Sequence, residues 1–173
     1  MQVPLVMTVI GSDRTGLVES LASLIANHDG NWLESRMCRL GGEFAGILRI
    51  HVPIKKKTAL LKALKALRTK GLSVVVQPDK SGSTFITGKA AVLELVGHDR
   101  PGIMREITRA LSNQGVNVEE LSTGCVSAPM SGEMQFKARA MLLVPERCNL
   151  ANLRASLEKI AGELMVDLTF GEL

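Results

Sequence analysis

The chain has 173 residues, 46% hydrophobic and 22% charged, in the range of an ordinary globular protein, and no apolar run is long enough to span a bilayer. Its three cysteines, Cys38, Cys125 and Cys148, are odd in number and lack a Cys-x-x-Cys spacing, which indicates neither a disulfide framework nor a zinc site and reads as reduced thiols. The net charge of +4 is unevenly shared: residues 1–86 hold twelve Lys or Arg against six acids, residues 87–173 nine against eleven. The opening Met1, Gln2, Val3 and Pro4 lack the basic start and apolar core of a signal peptide, so a cytoplasmic protein with no membrane partner is expected.

In chain order, an apolar strand over residues 3–10 runs into the turn Gly11, Ser12, Asp13, Arg14, Thr15 and Gly16. A helix over 15–28 follows, with Leu17, Val18, Leu21, Leu24 and Ile25 spaced to form one buried face. Two strands, 31–40 and 44–52, flank Gly41 and Gly42, a hairpin signal, and Pro53 ends the second of them. A helix over 56–70 sets Leu60, Leu61, Leu64 and Leu67 against Lys55, Lys56, Lys57, Lys62, Lys65, Arg68 and Lys70. Without interleaved aromatics those cations read as a solvated face before a nucleic-acid footprint. Gly71 stops the helix and 72–76 is a last strand, so the order is βαββαβ.

Residues 78–88, rich in Asp, Ser, Gly and Thr, read as a linker between a unit over 1–77 and another over 89–173. The second unit repeats the first at a constant offset of 86 residues: a strand over 90–96 leads to Gly97, His98, Asp99, Arg100, Pro101 and Gly102, Asn27 meets Asn113, Asn31 meets Asn117, and Glu34 meets Glu120. One of its strands alternates Met134, Phe136, Ala138, Ala140 and Leu142 with Gln135, Lys137 and Arg139, which buries one face. Its hairpin, residues 127–132, is looser than Gly41-Gly42; a helix over 149–162 turns Leu150, Leu153, Leu157 and Ile160 inward, and 164–170 closes the sheet. The fold class is therefore α+β, two ferredoxin-like βαββαβ sandwiches in tandem. Units so small expose a sheet face or edge and often bury it against another copy, so a homodimer is expected.

The doubled turn carries the chemistry. Glycine at each end admits unusual backbone angles and close approach of a bound group, and Pro101 suits a first helical turn. Unpaired amides at a helix start attract a carboxylate or phosphate. Asp13 and Asp99 either cap their helices or accept from an ammonium group, and Asn31 and Asn117 either hold a turn or supply an acceptor oxygen; both readings stand. Arg14 and Arg100 could grip a carboxylate bidentately, but such arginines more commonly point to solvent or pair with the neighbouring acid. His98 lacks a partner that would make it a base, and Trp32 reads as packing.

Asp-Arg-x-Gly after a first strand, with an Asn opening the second, resembles the ACT domain, a small regulatory module that binds amino acids, and the resemblance covers both halves of the chain. The tandem arrangement without a catalytic domain, with Asn31, Trp32, Leu33, Glu34, Ser35 and Arg36 and the following Leu40, Gly41, Gly42, Glu43 and Phe44, is similar to the glycine cleavage system transcriptional repressor group. The resemblance implies a ligand at a domain interface, between the turn and the start of the second strand: Gly11, Ser12, Asp13, Arg14 and Gly16 with Asn31, and Gly97, His98, Asp99, Arg100 and Gly102 with Asn117. Serine-binding members place an asparagine where Asp13 and Asp99 stand.

Three functions are weighed. The reading adopted is a non-catalytic regulator that senses a small amino acid, glycine being one candidate, and acts on a protein partner such as a transcription factor or enzyme by changing the placement of units or chains. With no helix-turn-helix pattern, direct DNA binding is not expected and repression of transcription would be indirect. An RNA-binding or purely structural ferredoxin-like module is the alternative, weakened by 3% aromatic content. An enzyme is disfavoured: formyltetrahydrofolate deformylases begin with a similar unit but need a further catalytic domain, and no catalytic set, metal cluster, cofactor site or phosphate loop is expected here.

Overall fold

The computed structural model describes residues 1–80, 87–128 and 132–172. Contacts divide the chain into two compact units, Met1–Thr84 and Phe85–Leu173. Most of the expected linker, and the tip of the second hairpin, lie outside the described residues.

The first unit runs β1 (Gln2–Ser12), α1 (Leu17–Asn27), β2 (Asn31–Leu40), β3 (Glu43–Pro53), α2 (Ile54–Ala66), a 3-10 turn (Leu67–Lys70) and β4 (Leu72–Pro78). The second repeats it as β5 (Gly88–His98), α3 (Ile103–Asn113), β6 (Asn117–Ser127), β7 (Met134–Pro145), α4 (Leu150–Leu164) and β8 (Val166–Glu172). Every strand pair is antiparallel, in the orders β2-β3-β1-β4 and β6-β7-β5-β8. These are the two expected ferredoxin-like sandwiches. Among the described residues no helix is long and apolar enough to cross a membrane.

Alternation on the strands and helical spacing on the helices meet in one core per unit. Leu5, Met7 and Val9 of β1 and Leu48, Ile50 and Val52 of β3 pack with Leu17, Leu21 and Ile25 of α1 and Leu60 and Leu64 of α2. In the second unit Leu93 and Leu95 of β5 and Leu142 and Val144 of β7 pack with Ile107 and Leu111 of α3 and Leu153 and Leu157 of α4. Each such side chain contributes about 1.5–3 kcal/mol by leaving water. Val18, expected inside, stays exposed, while Leu24 and Trp32 pack half-buried against the core.

The repeat extends to detail that composition does not announce. The equivalent edge strands β2 and β6 carry a bulge at the same place, between Trp32 and Glu34 in β2 and between Val118 and Glu120 in β6. The extra residue resets the alternation, so Trp32 and Met37 turn toward the core while Glu34 and Arg36 stay outside. At the first hairpin Gly41 and Gly42 both take positive φ, 59° and 85°, as a two-residue turn of matching twist requires.

Candidate functional site

Each turn is the place where a central strand hands over to a helix. Gly11 lies in β1 opposite Leu72, and a Cβ there would collide with the Gly71 carbonyl oxygen; Gly97 is opposite Val166, whose side chain would meet a Cβ. The leading glycine therefore admits the neighbouring strand, where the sequence had suggested a bound group. The closing glycine has the conformational role: Gly16 at φ 87° and Gly102 at φ 98° are left-handed residues from which α1 and α3 start. Their carbonyls accept the first helical hydrogen bonds, from Ser20 N–H at 2.9 Å and Glu106 N–H at 3.1 Å.

Two expectations about the helix starts are corrected. Neither Asp13 nor Asp99 caps a helix, because the left-handed glycine intervenes and no side chain accepts from the first-turn amides. Pro101 precedes that glycine and so lies outside the helix it was expected to begin. What remains is the part useful to a ligand: helix starts whose first N–H groups carry partial positive charge and have no side-chain cap.

The acidic and basic groups around the two turns differ. In the first unit the Asp13 carboxylate pairs with Arg39 of β2 at 2.6 Å, and its backbone N–H donates to the Gly42 carbonyl at 2.9 Å. Arg14 donates to the Lys70 carbonyl at 3.0 Å, not to Asp13, and the Ser12 hydroxyl donates to Glu43 at 3.2 Å. In the second unit His98 Nδ1 sits 3.6 Å from a Glu133 carboxylate oxygen, and the Asp99 N–H donates to the Met134 carbonyl at 3.4 Å. Local desolvation, then the charge of Asp99 and a hydrogen bond to it, push the Cys125 thiol up from its ordinary value of 9.0. Among the described residues Arg100 has no hydrogen-bond or ion-pair partner.

Within one unit the register sets the asparagine well apart from the turn. Asn31 opens β2 opposite His51, which pairs on its other side with Pro4; the turn begins past Gly11, opposite Phe44. Asn117 is likewise level with Leu143 and Ala90, while Gly97 is level with Phe136. Seven strand residues, roughly 23 Å, divide each asparagine from the turn of its own unit. Asn31 makes no side-chain hydrogen bond among the described residues, and Asn117 donates to Glu119. Apart from the buried Gly11, the turn residues and both asparagines are at or near the surface. Among the described residues no cluster of ligating side chains could hold a metal, and all three cysteines are free.

Sequence reasoning missed Arg39 and Cys125. Their signal was present, since they are related by the same offset of 86 residues that relates the turns, but they are not identical and so drop out of a search for repeated residues.

Models of the ACT domain match residues 3–77 and 91–138. No curated protein matches the sequence. Among solved structures, one from Galdieria sulphuraria, described only as an unknown protein, is 26% identical, with 100% of this chain and 99% of that one covered and a TM-score of 0.85. Another, provisionally described as a glycine cleavage system transcriptional repressor, is 20% identical over 100% of this chain and 98% of its own, with a TM-score of 0.71. A formyltetrahydrofolate deformylase from Pseudomonas putida KT2440 is 21% identical over 47% of this chain and 28% of its own, with a TM-score of 0.41.

Proposed function

This chain belongs to the ACT-domain family, with two such domains in tandem, and from that premise we propose that it is a non-catalytic regulator that binds a small amino acid and passes the bound state to a protein partner. The observation that carries the reading is the doubled turn. Each copy sets uncapped helix-start amides, donors for a carboxylate, beside an aspartate, an acceptor for an ammonium group. A zwitterion needs both within a few ångströms.

Because an asparagine lies far from the turn of its own unit, a ligand touching both draws them from different copies of the unit. We place the second copy on another chain, in a homodimer. Exposed Ile10, Ile47 and Val75 on the open sheet face of the first unit supply apolar surface for self-association. The name of the repressor-like structure supports a role in controlling transcription; we take glycine as the leading ligand and a partner protein, not direct contact with DNA, as the route. Ligand acts by binding one of two assembly states more tightly than the other.

A thermal-unfolding screen against the twenty amino acids tests this. Saturation at a hundred times the dissociation constant adds about 2.7 kcal/mol and raises the unfolding midpoint by several degrees. The expected result is a concentration-dependent rise for one small amino acid, lost in Asn31→Ala or Asn117→Ala. A flat screen would overturn the sensing reading.

A further inference from the structure

The two turns are a controlled comparison within one chain. Arg39 and Cys125 stand at the same structural position, each the strand residue opposite a phenylalanine, Phe44 or Phe136, which in turn is opposite the leading glycine of the turn, Gly11 or Gly97. From that position Arg39 reaches Asp13 and forms the 2.6 Å ion pair, while Cys125 offers Asp99 only a thiol. The neighbouring arginine follows the same division. Arg14 is tied to the Lys70 carbonyl, whereas Arg100 has no partner among the described residues.

We propose that Arg39 closes the first turn to ligand and that Cys125 leaves the second turn open, so that the chain binds its amino acid at Asp99 and Arg100 alone. The inference rests on the sensing function proposed above and specifies where it resides. The reason is competition for charge. An incoming ammonium group finds Asp13 already neutralised by a guanidinium, and an incoming carboxylate finds Arg14 occupied; each must displace an existing contact. At the second turn Asp99 gives up only a thiol hydrogen bond, and Arg100 gives up water. The side chain at this one edge-strand position thus decides which copy is a receptor and which is a folded remnant of the same motif.

The test is calorimetric titration of the full chain with glycine, and failing a signal with each of the other nineteen amino acids. The wild type is expected to bind one ligand per chain. Cys125→Arg, which copies the first turn into the second, is expected to weaken binding by about tenfold or more. Cys125→Ser, which keeps size and exposure, leaves it within about twofold. The reverse change, Arg39→Cys, frees Asp13 and is expected to raise the stoichiometry from one to two. Unfolding midpoints of the variants distinguish a blocked site from a damaged fold, and a gain of stoichiometry needs no such control. Wild-type binding that survives Cys125→Arg and disappears in Asp13→Ala would overturn the inference while leaving the sensing function standing. No binding by the wild type to any amino acid would instead remove the sensing function itself.

Discussion

At the scale of single residues, the two glycines of each turn do different work, and stability measurements separate them. Alanine at Gly16 meets no atom within 4 Å but must hold φ near 87°, a strain of about 1–2 kcal/mol. Alanine at Gly11 strikes the carbonyl of Gly71, which cannot rotate away. Overpacking of that kind costs about 1–3 kcal/mol or more, so denaturant unfolding should rank Gly11→Ala as the more damaging. Equal costs would contradict the geometry. Cys125 gives a second residue-level prediction. Its thiol is raised from 9.0 by desolvation and by Asp99, so it is protonated at neutral pH and alkylation is slow there, speeding up as rising pH increases the thiolate fraction. Removing the charge in Asp99→Asn lowers the thiol toward its ordinary value and should speed iodoacetamide labelling of Cys125 at pH 8, followed by mass spectrometry. An unchanged rate would mean that the carboxylate does not govern the thiol.

At the scale of elements, much was legible because the signals are local. The Gly41-Gly42 turn, the stop at Pro53 and the left-handed Gly71 at φ 78° follow from backbone chemistry that these residues carry anywhere. The helix starts were not legible in the same way. Asp13 and Asp99 have the chemistry of a cap, and only the left-handed glycine three residues later shows that they stand outside the helix. The genuine side-chain cap is Asn149, which accepts from the Asn152 N–H at 3.0 Å. Asn149→Ala should therefore cost about 1 kcal/mol by thermal or chemical unfolding. Asp99→Ala should cost less than about 0.5 kcal/mol, as a surface change away from any cap. If the two losses were reversed, Asp99 would have to be the cap after all.

The candidate site was partly readable at this same scale. The turns themselves stood out through exact repetition, but the distance from Asn31 to Asp13 depends on the register of β2 on β3 and of β3 on β1. Sequence separation, eighteen residues in both units, carries no information about that register. The bulges at Leu33 and Glu119 are hidden for a related reason: a repeated extra residue leaves the offset between units unchanged.

At the scale of the whole molecule, duplication supplies two scaffolds and divergence gives them different surfaces. Each unit has its own core, so Leu60→Ala, emptying a fully buried site, should cost about 2–5 kcal/mol and lower hydrogen-exchange protection throughout residues 1–80. The charge is divided as well. The helix α2 with its 3-10 turn carries seven cations and no acid, against an even balance on α4. One ion pair, Lys56 to Asp29 at 3.8 Å, engages that face among the described residues. The turns follow the same pattern of common frame and changed side chains, with Arg39 in one copy and Cys125 in the other.

The most direct measurement is a calorimetric titration of the intact wild-type chain with small amino acids, glycine first. The predicted result is saturable heat for one of them, with a stoichiometry of one ligand per chain. Two equivalent ligands per chain would contradict the division of roles between the turns, and no saturable heat with any of the twenty would contradict amino-acid sensing altogether.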